Sequence, residues 1–293
     1  MMNSPLMLQL LASPFFRRGI EGVAYQKLNP LNPPLKKGEA KRTAVYRWSL
    51  TSLFIFSLTL LFSSELSANE IHVATASNFT ETIKLIAQQF EKKTGHKVII
   101  ISGSTGKHYA QIKNGAPFDA FFAADSRRPE LLDKEGAAIP GTRFTYAIGK
   151  VILWSPIEDY VDSKGQVLKK NNFRYLAVAN PKLAPYGKAA QEILQDMELW
   201  SILRSRMVRG ENIGQTFQFV KSSNAKLGFI AFSQVKRPNQ AIEGSFWEVP
   251  QSLYTPIKQQ AVLLKENDTA RAFLSFIKED ESLRIIRSFG YEI

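Results

Sequence analysis

The fold turns on residues 71–125, IHVATASNFTETIKLIAQQFEKKTGHKVIIISGSTGKHYAQIKNGAPFDAFFAAD. Within it, IHVAT (71–75), KVIII (97–101) and FDAFFAA (118–124) are short runs rich in β-branched and aromatic residues, the composition of strands. Between the first two, Phe79, Ile83, Ile86 and Phe90 recur at i, i+4, i+7 and i+11, one face of a helix that Gly95 stops. A second helix is predicted through Tyr109 and Ile112 to Asn114-Gly115. A third is predicted from Ser126 and Pro129 to Gly136. Strand and helix alternating three times predict a parallel sheet covered on both faces.

Downstream the pattern resumes. Strands are predicted at KVILWS (150–155), YLAVAN (175–180), RMVRG (206–210), LGFIAF (227–232) and QQAVLL (259–264), with 156–172 a polar connection. Helices are predicted over 187–197, 214–221, 269–277 with Asp268 as N-cap, and 282–289 with Gly290 after its end. Two α/β units of this size predict two lobes with a cleft between them. The first lobe is residues 70–148 plus 257–293, and the second is residues 149–256. Each would be a mostly parallel sheet flanked by helices. Phe121, Phe122, Trp154 and Trp247 read as core, with sugar or peptide stacking as the alternative.

The N-terminal part reads differently. Lys36, Lys37, Lys41, Arg42 and Arg47 flank LTSLFIFSLTLLF (50–62), an uncharged apolar run shorter than the roughly 20 residues of a membrane span. Small and polar residues follow, so residues 45–68 are expected to be a secretory signal peptide, with an uncleaved anchor helix as the alternative. Residues 1–44, broken by LNPLNPPLKKGE, read as disordered or as a mis-annotated extension. The whole chain has 38 Lys and Arg against 26 Asp and Glu, a formal charge of +12, but residues 70–293 carry only +7. That mild excess attracts anions at long range. With no arginine-rich run or aromatic-interleaved basic stripe, nucleic acid is not an expected partner. The absence of cysteine excludes disulfides, thiolate metal sites and thiol catalysis.

In open α/β sheets, ligands bind beyond the C-terminal strand ends. The residues there are Ala76, Ser77 and Asn78, then Ser102, Gly103, Ser104, Thr105 and Gly106. In the second unit they are Pro185, Tyr186 and Gly187, then Asn212, Ile213 and Gly214. Hydroxyls, amides and glycine-freed N–H groups at helix starts make an anion site when several converge. Alternatively, Ser77, Asn78 and Thr105 are ordinary N-caps. GSTGK (103–107) is not a nucleotide loop, because Ile101 stands where a P-loop needs its first glycine and His108 where it needs a hydroxyl. A catalytic reading would use Lys107, His108, Tyr109, Asp119 and Asp125. Lys107 and His108 diverge by about 100° on a helix and read as a solvated face. Tyr109 reads as core and Asp125 as a strand-end cap.

ATASNFTETIKLIAQQFEKKTGHKV, GSTGKHYAQIKNGAPFDAFFAAD, FTYAIGKVILWS, NPKLAPYGKAAQEIL, GENIGQTFQFV and LGFIAFSQV closely resemble the periplasmic molybdate-binding proteins of ABC importers, within the type II periplasmic binding proteins. The resemblance runs from about Glu70 to Ile293. It implies a two-lobed, non-enzymatic receptor without cofactor, acting as a monomer in the periplasm. Its lobes would close on molybdate or tungstate and deliver it to a membrane permease with its ATPase. It places ligand contacts on Ser77, Asn78, Thr105, Tyr186 and Ile213, supported by Ala76, Ser104, Gly106 and Gly187. The metal enters only as the oxyanion. Some relatives carry a tyrosine contact where Ala231 stands here, so Tyr186 is expected to supply that hydroxyl. Neutral donors without a carboxylate disfavour a protonated phosphate, while sulfate is rejected only by size. A receptor for sulfate or phosphate, or an α/β enzyme, is the alternative.

Overall fold

The computed structural model describes residues 69–293. They fall within one compact unit, Glu65–Ile293. The readings of residues 1–44 and 45–68 lie outside the described residues.

The first stretch forms β1 (Glu70–Ala76), α1 (Thr80–Thr94), β2 (Lys97–Gly103), α2 (Thr105–Lys113), β3 (Ala120–Ala123), α3 (Arg127–Lys134) and β4 (Phe144–Gly149). The chain then builds β5 (Val151–Ser155), α4 (Val167–Lys170), β6 (Leu176–Ala179), α5 (Pro185–Asp196), α6 (Trp200–Leu203), β7 (Met207–Gly210), α7 (Ile213–Lys221), β8 (Leu227–Ala231) and β9 (Ser245–Glu248). It returns as β10 (Ile257–Leu263), α8 (Asp268–Ile277) and α9 (Asp280–Ser288). One five-stranded sheet has the order β2-β1-β3-β10-β4, the other β7-β6-β8-β5-β9. β1 is parallel to β2 and β3, and β10 runs against both its neighbours. In the second sheet β6 is parallel to β7 and β8, while β5 is antiparallel to β8 and β9. Two helix-flanked sheets match the expected class, but each is mixed and not mostly parallel in its pairing, because one strand, β10 or β5, runs against both its neighbours.

The core explains the helix faces. α1 buries Ile83, Ile86 and Phe90, and the chain before it turns in Phe79. Phe79 packs on Tyr146 at a centroid separation of 4.6 Å and on Tyr291 at 5.6 Å. Phe121, Phe122, Trp154 and Trp247 are all buried. The chain crosses between sheets at Lys150 and again through residues 249–256.

Four local expectations change. β4 and β9 were not expected as strands. β9 is only four residues long, β4 does not alternate cleanly, and both are sheet edges held by pairing with β10 and β5. The 156–172 connection contains α4, which buries Val167 and Leu168. α8 is capped by Asn267, not Asp268, because the Asn267 side chain accepts from Ala270 N at 3.1 Å. α5 starts at Pro185, which favours the first helical position, so Tyr186 lies inside the first turn.

Candidate functional site

The loops after β1, β2 and β3 meet the starts of α5 and α7 across a small cavity. Its walls are Ala76, Ser77, Asn78, Gly103, Ser104, Thr105 and Ala124 from one lobe, and Ala184, Pro185, Tyr186, Asn212 and Ile213 from the other. None of these residues carries a charge. The space open to the centre of a water molecule is about 10 Å³. That lies far below the roughly 300–1,000 Å³ of sites for organic ligands. Such a cavity leaves no room for a sugar, peptide or nucleotide.

All five residues expected to hold ligand line this cavity, as do Ala76 and Ser104. Gly106 and Gly187 stand behind its wall, and each admits backbone. A Cβ on Gly106 would lie 2.9 Å from Leu183 O, and one on Gly187 would lie 2.3 Å from Ala179 O. The glycines therefore permit close packing of the walls, not approach of the chain to an ion. Gly103 is similar, since its missing side chain is replaced by the His108 ring.

The donors are arranged as follows. The main-chain N–H groups of Asn78, Thr105, Tyr186 and Ile213 meet no acceptor among the described residues. Those of Thr105, Tyr186 and Ile213 are unpaired positions that helix starts leave, and Asn78 lies two residues before α1. Ser77 Oγ accepts from Gly214 N at 3.0 Å, and Thr105 Oγ1 accepts from Ala124 N at 3.1 Å. Each hydroxyl keeps its own proton to donate. Neither is an N-cap, and the Asn78 side chain donates inward to Gln259 Oε1 at 2.7 Å and Tyr291 OH at 3.0 Å. Asn78 thus faces the cavity with its backbone donor. Burial pushes the Tyr186 phenol well above its ordinary pKa, so it is a neutral donor. Ala231 is buried in β8 and presents no hydroxyl.

The lobes are fastened around the cavity. Ser104 Oγ and Gly106 N both donate to Leu183 O, at 2.8 and 2.9 Å, and Ser233 Oγ donates to Asn78 O at 3.2 Å. Arg128 donates to Lys182 O at 3.1 Å, and Lys107 pairs with Glu211. Water exclusion in such a closed state strengthens every donor to an anion.

The catalytic candidates disperse. None of Lys107, His108, Tyr109, Asp119 and Asp125 lines the cavity. Asp125 accepts from Arg128 N at 3.0 Å, a strand-end cap, and Asp119 accepts from His72 N at 2.7 Å. Tyr109 donates to Glu135 at 3.2 Å. His108 corrects the sequence reading, because it is buried and not on a solvated face. Its ring fills the space over Gly103, edge-on to Phe118 and Phe121. Burial lowers its pKa and keeps it neutral. Among the described residues, no group of three His, Asp or Glu side chains could hold a metal ion.

Sequence reasoning missed Gln259 and Gly149. A Cβ on Gly149 would lie 2.1 Å from Tyr186 OH and 2.8 Å from Gln259 Nε2, so both groups sit over this residue where the chain leaves the first sheet. Gln259 occupies a buried strand phase shared with Ile257, Ala261 and Leu263. A polar residue at an apolar parity is the signal that could have found it.

Residues 71–292 match the bacterial extracellular solute-binding protein family. The molybdate-binding protein ModA of Azotobacter vinelandii is 48% identical over 83% of this chain and 98% of its own length. That of Rhodobacter capsulatus is 47% identical over 77% of this chain and 89% of its own length. The solved periplasmic molybdate-binding protein of A. vinelandii superposes with a TM-score of 0.75 at 44% identity, covering 76% of this chain and 99% of that one. Fold, closed interlobe cavity and similarity agree: the chain belongs to the bacterial extracellular solute-binding proteins, alongside the molybdate-binding members.

Proposed function

We propose that this chain is the periplasmic substrate-binding component of a molybdate ABC import system, binds tungstate as well, and is not an enzyme. The observation that supports this best is the uncharged interlobe cavity with unpaired N–H groups from two lobes. Neutral donors hold a dianion by exchanging its water hydrogen bonds for protein ones, and closure raises their strength. Ser77 and Thr105 donate through their hydroxyls, Asn78 and Ile213 through main-chain N–H, and Tyr186 through its phenol. Lobe I is residues 70–148 plus 257–293, lobe II is residues 149–256, and the Lys150 and 249–256 crossings form the hinge. Residues 45–68 act as a signal peptide. One copy of the chain delivers the ion to a permease coupled to an ATPase, and no cofactor takes part.

Calorimetry with molybdate, tungstate, sulfate and phosphate at equal concentration tests this reading. Molybdate and tungstate are expected to bind one per chain, with sulfate and phosphate much weaker. A response to sulfate or phosphate with none to molybdate overturns the assignment. Recovery of chemically altered ligand would restore the enzyme alternative.

Tyr186→Phe isolates the phenol. Losing a hydrogen bond to a charged group is expected to weaken molybdate binding about tenfold or more. The melting temperature should change little. Full affinity in this variant would show that the phenol does not hold the ion.

A further inference from the structure

We infer that Gln259 is a positioning residue that couples the two lobes by fixing which way the Tyr186 hydroxyl points its proton. The inference rests on the reading of the cavity as an oxyanion site. Gln259 has no exposed surface and lies in β10, the strand by which the chain returns to the first lobe. It does not line the cavity. Its side chain stands between Asn78 of the first lobe and Tyr186 of the second.

The direction of the hydrogen bonds can be deduced from one proton. Tyr291 OH lies 2.9 Å from Asn78 O, a carbonyl that can only accept, so Tyr291 spends its single proton there. The Asn78 side-chain atom 3.0 Å from that hydroxyl must therefore be the amide nitrogen. The same nitrogen lies 2.7 Å from Gln259, so the facing Gln259 atom must be the oxygen, Oε1. Tyr146 OH lies 3.2 Å from Oε1 and 3.1 Å from Ala123 O, so its single proton serves one of the two and the direction rests on Tyr291 and Asn78. Nε2 is left facing Tyr186 OH at 3.5 Å, a long contact. Nε2 has no lone pair to offer, so Tyr186 accepts and its proton remains for the cavity. The absent side chain at Gly149 is what lets these two groups meet.

A mainly space-filling Gln259 would act on stability. A positioning Gln259 acts through the Tyr186 hydroxyl, and the two are separated by a double-mutant cycle. Molybdate dissociation constants are measured by calorimetry for wild type, Gln259→Met, Tyr186→Phe and the double variant, with melting temperatures alongside. Each single change is expected to weaken binding about tenfold, and the double variant about tenfold as well, not a hundredfold. Independent, multiplying losses overturn the inference.

Gln259→Glu provides a second arm if the methionine variant does not fold. A protonated glutamic acid can still donate to Tyr186, whereas a carboxylate draws the Tyr186 proton towards itself. Burial raises a carboxyl pKa. The ratio of variant to wild-type affinity should therefore fall at least about tenfold from pH 5 to pH 9. A ratio that stays flat across that range overturns the inference. Wild-type protein that fails to bind molybdate at all would instead refute the underlying site reading.

Discussion

Thr105→Asp is expected to abolish molybdate binding while leaving the fold in place. Thr105 is buried, and its hydroxyl oxygen accepts the Ala124 N–H at 3.1 Å. An aspartate oxygen can take over that bond, so the loop keeps its local anchor. The change adds one negative charge to a cavity whose walls otherwise carry none. Two unit charges about 4 Å apart repel by about 4 kcal/mol at an effective dielectric near 20. A dianion meets more than that, so affinity should fall by more than roughly 10³-fold. Calorimetry reads the loss, and circular dichroism with thermal melting reads the fold. Binding within about tenfold of wild type would remove Thr105 from the site.

Gly187→Ala should damage both stability and binding. The added Cβ would lie 2.3 Å from Ala179 O and 2.6 Å from Ala179 C, which are backbone atoms of β6 that cannot rotate away. α5 must shift off the sheet. Overpacking of this kind costs about 1–3 kcal/mol. Because Tyr186 is the preceding residue, the same shift moves its phenol and its main-chain N–H. Urea unfolding should show the lost stability, and calorimetry should show at least about tenfold weaker molybdate binding. Unchanged values in both would mean that α5 is not held against β6 by this glycine. Gly106→Ala makes a useful comparison. Its neighbour Leu183 O belongs to the other lobe, so strain can be relieved by incomplete closure and not by loss of fold.

Much of the fold was legible because its signals are local. The Phe79, Ile83, Ile86, Phe90 spacing marks one helix face whatever lies beyond it. The strand runs 71–75 and 97–101 recur inside β1 and β2. Edge strands were not legible. β4 and β9 carry little periodicity of their own, and their hydrogen bonds come from β10 and β5, distant in sequence. His108 was misread for a related reason. Its neighbours Phe118 and Phe121 arrive from the next strand, and the space it fills is left by Gly103.

The candidate site divides along the same line. The sequence by itself determined the chemical character of the cavity wall: hydroxyls, amides, a phenol and helix-start N–H groups, with no carboxylate among them. That follows from residue types placed just after predicted strands, which is local information. Only the tertiary structure decided which atom of each residue faces the cavity. Asn78 turns its side chain inward because Gln259 and Tyr291 take its amide, which leaves its main-chain N–H to the site. Ser77 and Thr105 proved not to be caps because their oxygens are claimed by Gly214 and Ala124, groups remote in the chain. Hydrogen-bond direction depends on what stands opposite each atom. Here the partners are brought together by two chain crossings and a strand that returns from the other lobe.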